Sequence, residues 1–381
     1  MSRTVPFYRH QLGAREAAAV AAVLETLFLT TGPKTKELEE SIAKRLGVGH
    51  ALGMTSATTA LHLALVALGV GPGDEVIVPA MTFIATSNVV LHCGATPVFV
   101  DVEADTGNID LAAVERAITP KTKAIIPVHL YGQMVDMKRL SAIAEKRTPR
   151  VHVIEDCAHA FESERDGVKP GQLSDGAAFS FYATKNVTSG EGGALAMRDT
   201  AFFEKVRTIR LHGMSAAAYD RHTGVYRHWD MIDLGFKANM GDIQAALILP
   251  QLPDVEAKNE RRKAIAAHYD RLFEGAKDIG HPTTQKGVHH AHHLYTVWVP
   301  PARRDEVLHK LQQRGVGVAV NYRAVHLLTY YREKFGFERG RFPEAERIGD
   351  STISLPMYPT LSEEDVEYVA STLKAILAEA P

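Results

Sequence analysis

EVIVPAMTFIATSNVVLHCGATPVFVDV, residues 75–102, contains a complete strand–helix–strand unit. EVIVPA (75–80) and TPVFVDV (96–102) are continuous apolar runs, the kind that fits strands buried on both faces. ATSNVVLHCG between them reads as a helix, and a helical crossover joins parallel strands. The pattern extends both ways. ALGMT (51–55) reads as a strand, followed by the helix TTALHLALVALG with Leu61, Leu65 and Leu68 on one face. Downstream come TKAIIPVH (122–129), VHVIED (151–156), AAFSFY (177–182) and GALAM (193–197), with helical stretches such as DLAAVERAI among them. The expected fold class is α/β with a mostly parallel central sheet, whose ligands collect at the C-terminal ends of the strands.

Helix-like spacing precedes this block at 15–28 and 35–46, the second closed by Gly47 as a C-cap. The texture changes near residue 250. Residues 240–275 read as a long helix interrupted at Pro250 and Pro253. HLYTVWV (293–299) reads as a strand, RRDEVLHKLQQRG (303–315) as a helix, VGVAVNY (316–322) as a strand, and 362–378 as a helix capped by Ser362. The expected organisation is a large domain over 1–250 with an N-terminal helical segment, and a smaller α+β domain over 251–381.

The 381 residues are 45% hydrophobic and 23% charged, with a net charge of −2. Such a balance has no global basic field to attract nucleic acid or an anionic membrane. No apolar stretch reaches the length of a membrane span, and MSRTVPFYRHQLG has no signal core. The two cysteines, Cys93 and Cys157, form no metal or disulfide pattern, so a cytoplasmic setting is expected. HHAHH (289–293) has His pairs at i and i+3 but no accompanying carboxylate or cysteine cluster, so no metal is expected there.

Chemistry concentrates at two points. Lys185, in FSFYATKNVTSGEGG (179–193), follows apolar and aromatic residues that would help hold its amine neutral and nucleophilic. Asp156 ends VHVIED, at the predicted end of a strand. A Schiff-base lysine and a buried carboxylate are the minimal set for pyridoxal phosphate (PLP) chemistry, the carboxylate keeping the pyridine nitrogen protonated. TSATTALHLAL (55–65) places small and hydroxyl residues before a helix, so the backbone N–H groups of Ala57 and Thr58 would meet a phosphate. Ser180 is a further phosphate candidate, Phe83 a ring surface, and His159 a partner for the ring hydroxyl.

Those segments, with LTTGPKTKELE (29–39), IIPVHLYGQ (125–133) and GFKANMGDIQAAL (235–247), resemble the DegT/DnrJ/EryC1 sugar-aminotransferase family of fold-type-I PLP enzymes over nearly the whole chain. The resemblance implies Lys185 as the Schiff-base lysine, Asp156 as pyridinium partner, His159 near the ring hydroxyl and Phe83 at the stacking position. Ala57, Thr58 and Ser180 match phosphate contacts, and Asn239 matches an asparagine reaching the cofactor phosphate of a neighbouring subunit, which implies a homodimer with shared sites. TSATT departs from the Gly-Thr-Asp type of loop common in the family, Ala57 replacing the glycine. The implied reaction moves an amino group from an amino acid, glutamate, to a nucleotide-linked keto sugar. The pattern K-N-x-T-x-G-E-G-G resembles members that act at C4 of UDP- or TDP-4-keto sugars, and LHGMSAAAYDRHTG (211–224) with VNYRAVHLLTYYREKFG (320–336) resembles the enzyme making UDP-4-amino-4-deoxyarabinose. Arg221 and His222 are then candidates for the nucleotide diphosphate, Tyr322 and His326 for the sugar. Competing readings are a C3-keto sugar or keto-inositol acceptor, and a non-enzymatic regulator built on the same fold.

Overall fold

The computed structural model describes residues 3–215 and 228–380. Seven strands form the central sheet: β1 (His50–Met54), β2 (Glu75–Pro79), β3 (Thr96–Val100), β4 (Thr122–Ile125), β5 (His152–Asp156), β7 (Gly176–Ser180) and β8 (Gly193–Met197). β6 (Glu164–Arg165) pairs separately with β9 (Val288–His289). The sheet order is β1-β8-β7-β5-β4-β2-β3. Pairs β3/β2, β2/β4, β4/β5 and β5/β7 are parallel, whereas β8 is antiparallel to both β7 and β1. The mostly parallel sheet expected from the Val/Ile runs is present.

Burial on both sides follows from the period-2 alternation of strand side chains. Val76 and Val78 join Leu61, Leu65, Val89 and Val90 in one core, while Ile77 between them joins Ile125, Met137 and Leu140 in another. Helices therefore cover both faces. Helix Pro33–Leu46 ends at Gly47, which takes the left-handed conformation (φ 68°) as expected of a C-cap.

Helix Asp242–Ile248 passes through a 3-10 segment at Leu249–Asp254, containing Pro250 and Pro253, into helix Val255–Phe273, so the expected interruption is observed. A further core gathers Ile265, Tyr269, Val297, Leu311, Ile353, Val369 and Leu373, around the antiparallel pair β10 (Tyr295–Trp298) and β11 (Thr352–Leu355). Val5 is part of this core, whereas Ala324, Val325, Tyr331, Phe342 and Ile348 pack with the core of the large sheet. The chain thus crosses between the two cores near both its ends. Helix Glu363–Ala378 starts at Ser362, whose hydroxyl accepts the Asp365 N–H at 3.1 Å.

VGVAVNY (316–322) is not a strand. Val316 bridges to Val5 and Ala319 bridges to Ser354, so the segment changes partner within three residues and builds no ladder. A side chain at Gly317 would come within 2.4 Å of the Phe7 nitrogen, which shows how closely the N-terminal segment crosses it. No helix among the described residues is long and apolar enough to cross a membrane.

Candidate active site

The C-terminal ends of β2, β5 and β7 open onto a cavity of about 420 Å³, within the range of small-molecule sites. Asp156 is the last residue of β5 and is buried. Thr86 donates to its Oδ2 at 2.8 Å and the Ala158 N–H to its Oδ1 at 3.1 Å. Burial pushes its pKa up, and the two hydrogen bonds and the nearby Lys185 charge pull the other way. A carboxylate held this way is set to meet a further cation.

Lys185 stands in the loop between β7 and β8. The Phe181 N–H donates to the Gly192 carbonyl, the Ser189 N–H to the Phe181 carbonyl, and the Lys185 N–H to the Tyr182 carbonyl. Gln251 closes the loop from below by bonding Thr188 through both backbone groups. The amine is drawn down from 10.5 to about 8 by burial, with Asp156 opposing. At pH 7 the neutral fraction is thus roughly one tenth, against well under one thousandth at an ordinary lysine.

The N-terminus of helix Ala57–Ala67 also reaches the cavity. Ser56 caps it, accepting from the Thr59 N–H at 3.1 Å. Ser56 Oγ also lies 2.9 Å from Thr59 Oγ1, while the N–H groups of Ala57 and Thr58, in the first turn, have no partner within the helix. Both residues line the cavity beside Ser180. Ser180 Oγ accepts from the Tyr182 N–H at 3.3 Å, which leaves its own proton available to an anion. Gly193 makes this arrangement feasible. A Cβ there would lie 2.3 Å from the Ser56 carbonyl carbon and 2.5 Å from the Ala57 nitrogen, so the loop sits directly on the bare glycine.

Phe83 is 53% exposed at the cavity wall, its ring 5.6 Å from that of Tyr322. His159 is buried, with both nitrogens engaged. Nδ1 accepts the Tyr131 N–H at 3.2 Å and Nε2 lies 3.1 Å from the Tyr322 hydroxyl. An accepting Nδ1 puts the ring proton on Nε2, so the tyrosine oxygen accepts it and keeps its own proton for the cavity. Burial and Lys185 hold the His159 pKa well below its usual value, so the ring is neutral.

Eight of the residues singled out in the sequence therefore meet here: Lys185, Asp156, His159, Phe83, Ala57, Thr58, Ser180 and Tyr322. Asn239 does not line the cavity of its own chain. It is bridged to Met54, donates to Thr31 Oγ1 at 2.6 Å, and accepts from Lys237 at 2.6 Å. His326 is also elsewhere: it is fully buried, bonded to Glu346 at 3.0 Å and packed edge-on against Phe337 and Phe342. Its place is in the aromatic core beneath β3, which corrects the expectation that it meets the sugar. Arg221 and His222 lie outside the described residues. Sequence reasoning missed Thr86, Tyr131 and Phe7, of which Phe7 lines the cavity. Thr86 carried a signal, since it lies in the turn of helix that follows a strand end.

Among the described residues the group of three side chains with mutually close ligand atoms is His129, Glu155 and Cys157, not the tract 289–293. His129 Nε2 bonds Glu155 at 2.7 Å, and the Gly171 N–H donates to the other carboxylate oxygen. These groups satisfy one another inside the sheet.

An anion cradle, a carboxylate, an aromatic wall and a lysine of lowered pKa are the four things pyridoxal phosphate requires of a protein, and the residues present, gathered in one cavity, fit it. A family model matches residues 10–374. The chain belongs to the DegT/DnrJ/EryC1/StrS aminotransferase family. It is similar to the spore coat polysaccharide biosynthesis protein SpsC of Bacillus subtilis, with 39% identity over 98% of this chain and 97% of that protein. Solved relatives include the putative sugar aminotransferase Spr1654 from Streptococcus pneumoniae in its PLP form, with 35% identity, 98% of each chain covered and a TM-score of 0.91. S. venezuelae DesV, solved with a ketimine intermediate, shares 35% identity over the whole of both chains with a TM-score of 0.92. The chain is a sugar aminotransferase by family.

Proposed function

We propose that this protein uses pyridoxal phosphate to move an amino group from glutamate to C4 of a UDP- or TDP-linked 4-keto sugar, in the cytoplasm. The observation that carries the reading is Lys185, its amine lowered to about 8, in one cavity with the Asp156 carboxylate and the N-terminus of helix Ala57–Ala67. The choice of C4 is supported by the K-N-x-T-x-G-E-G-G pattern of residues 185–193.

Lys185 would bind the cofactor covalently, Asp156 would pair with its ring nitrogen, Phe83 would lie against the ring, and Ala57, Thr58 and Ser180 would hold its phosphate. Bound, the cofactor supplies an electron sink for the pair left behind when the donor's α-carbon loses its proton. Lys185 Nζ takes that proton, a role suited to an amine near pH 8 and held on a rigid loop. Asp156 keeps its place, fixed by Thr86 and the Ala158 N–H. Tyr322, accepting from His159, presents its hydroxyl proton to the cavity, within reach of a polar group on cofactor or sugar.

The site is proposed to be shared in a homodimer, with Asn239 serving the partner's cofactor. The two segments that meet at Asn239 both carry exposed apolar side chains: Leu27 and Leu29 precede Thr30 and Thr31, and Met231, Ile232 and Leu234 precede Asn239 itself. Covering such residues is what a second copy would do.

The test is a substrate panel. Purified protein is offered UDP- and TDP-4-keto-6-deoxyhexoses, UDP-4-keto-pentose, a C3-keto nucleotide sugar and keto-inositol, each with glutamate or glutamine. Amine formation on a nucleotide-linked 4-keto sugar is expected. Turnover of only the inositol or only the C3 ketone overturns the choice of acceptor.

A further inference from the structure

His293 has no part in the roles above. It belongs to the HHAHH tract, yet its ring is buried against Lys185. Its Nε2 lies 3.5 Å from Lys185 Nζ, and its Nδ1 lies 3.2 Å from Asn186 Oδ1. Asn186 is itself fixed, because its Nδ2 donates to the Ala291 carbonyl at 3.0 Å, which turns the amide oxygen toward the imidazole. That oxygen only accepts, so the proton sits on Nδ1 and Nε2 aims a lone pair at the lysine. The ring is held in this pose from two more directions. The His293 N–H donates to the Tyr131 carbonyl, and the His159 ring packs against it with centroids 4.4 Å apart.

We propose that His293 is a positioning residue for Lys185: its Nε2 accepts a hydrogen bond from Nζ, and Asn186 fixes the tautomer that allows it. The inference rests on reading Lys185 as the reactive amine. A neutral amine has two N–H bonds and one lone pair. Anchoring one N–H on His293 turns the lone pair away from that ring and limits the rotamers of a long, flexible side chain. Once Nζ carries a third proton the same contact becomes charge-assisted and stronger. His293 thereby opposes burial and favours proton retention on the lysine.

The groups facing the pair are consistent with a neutral imidazole. Lys185, His159 and Arg262 all bear on His293 as positive or neutral neighbours, and with burial they hold its pKa well below the usual value. Glu162, Asn186, Ser180 and Val187 are among the residues lining the small space around Lys185 and His293, and the Asp156 carboxyl bears on Lys185 itself, opposing burial in the same sense as His293.

The experiment reads Lys185 itself rather than turnover. The holoenzyme is loaded with pyridoxamine phosphate, which leaves the lysine free. An amine-reactive reagent is applied across a pH series, and labelling of the Lys185 peptide is followed by mass spectrometry. His293→Phe removes the acceptor and is expected to lower the labelling midpoint by about one pH unit, the scale of a weak hydrogen bond to a charged donor. His293→Gln retains an acceptor and is expected to stay near wild type. Asn186→Leu releases the tautomer and is expected to lower the midpoint, with no further shift when combined with His293→Phe, as coupled positions require. An unmoved midpoint in His293→Phe, equal shifts in His293→Phe and His293→Gln, or additive shifts in the double variant would each overturn the proposal. Should His293→Phe fail to fold, His293→Gln unchanged together with Asn186→Leu lowered is the required result. Borohydride fixation of the PLP form separates the two levels: an adduct on a different lysine removes the underlying reading, whereas an adduct on Lys185 with an unmoved midpoint removes only the role of His293.

Discussion

Gly193→Ala isolates the phosphate cradle from the rest of the site. The added Cβ would lie 2.3 Å from the Ser56 carbonyl carbon, 2.5 Å from the Ala57 nitrogen and 2.7 Å from the Ser56 oxygen, where ordinary contact begins at 3.4 Å. These are backbone atoms, so no side-chain rotation relieves the clash. The loop Ser56–Ala57 or the start of β8 must move by about 1 Å, and β8 is held by antiparallel pairing on both edges, including Met54 opposite Gly193. The loop is therefore the part that yields. Misaligning one backbone donor to a phosphate removes a charge-assisted hydrogen bond of about 1.5–3 kcal/mol, a roughly 10- to 100-fold rise in Kd. The assay is a titration of the cofactor-free protein with PLP by absorbance, repeated with pyridoxal, which has no phosphate. Gly193→Ala is expected to weaken PLP and leave pyridoxal little changed. Gly71→Ala, where a Cβ meets nothing within 4 Å, is the control and should bind both as wild type does. Normal PLP affinity in Gly193→Ala, or equal loss of both ligands with the fold retained, would refute the assignment of this helix N-terminus to the phosphate.

Lys185→Met should stabilise the cofactor-free protein at pH 7. The folded pKa of about 8 lies below the ordinary 10.5, so the buried charge opposes folding fully below pH 8 and not at all above 10.5. The gain in denaturant midpoint should therefore shrink as pH rises through that window. Thr86→Val, nearly isosteric, removes the donor to Asp156 Oδ2 and should cost about 1.5–3 kcal/mol in urea unfolding at pH 7. It should also raise the Asp156 pKa further, visible as weaker cofactor binding toward acid pH. His326→Leu should lower stability by about 1–3 kcal/mol through loss of the buried bond to Glu346, while leaving the KM for the sugar unchanged.

The central sheet was legible because strands buried on both faces must be largely apolar, and β2, β3, β7 and β8 are written that way. Asp156 and Lys185 were legible for a related reason: each follows an apolar run, and strand ends are where such sheets place their ligands. Segment 316–322 misled because valine at every second position (Val316, Val318, Val320) fits a strand, whereas its backbone partners, Val5 and Ser354, come from two distant parts of the chain. His326 misled for the same reason, since its partner Glu346 sits on a helix twenty residues on and nothing local marks the pair as buried. His293 was hidden in a run of histidines for which the sequence predicts no metal, and only the fold shows that its neighbours are Lys185 and Asn186. Ser56 shows the finer limit: a serine before a helix fits a cap or an anion contact alike, and the fold shows it accepting the Thr59 N–H as the cap while also lining the cavity.

The chemistry of the site depends on one amine. The PLP-loaded protein is reduced with borohydride, digested, and its peptides mapped by mass spectrometry. A pyridoxyl adduct on Lys185, absent in Lys185→Ala, is the expected result. An adduct on another lysine, or no adduct at all in protein reconstituted with PLP, would contradict it.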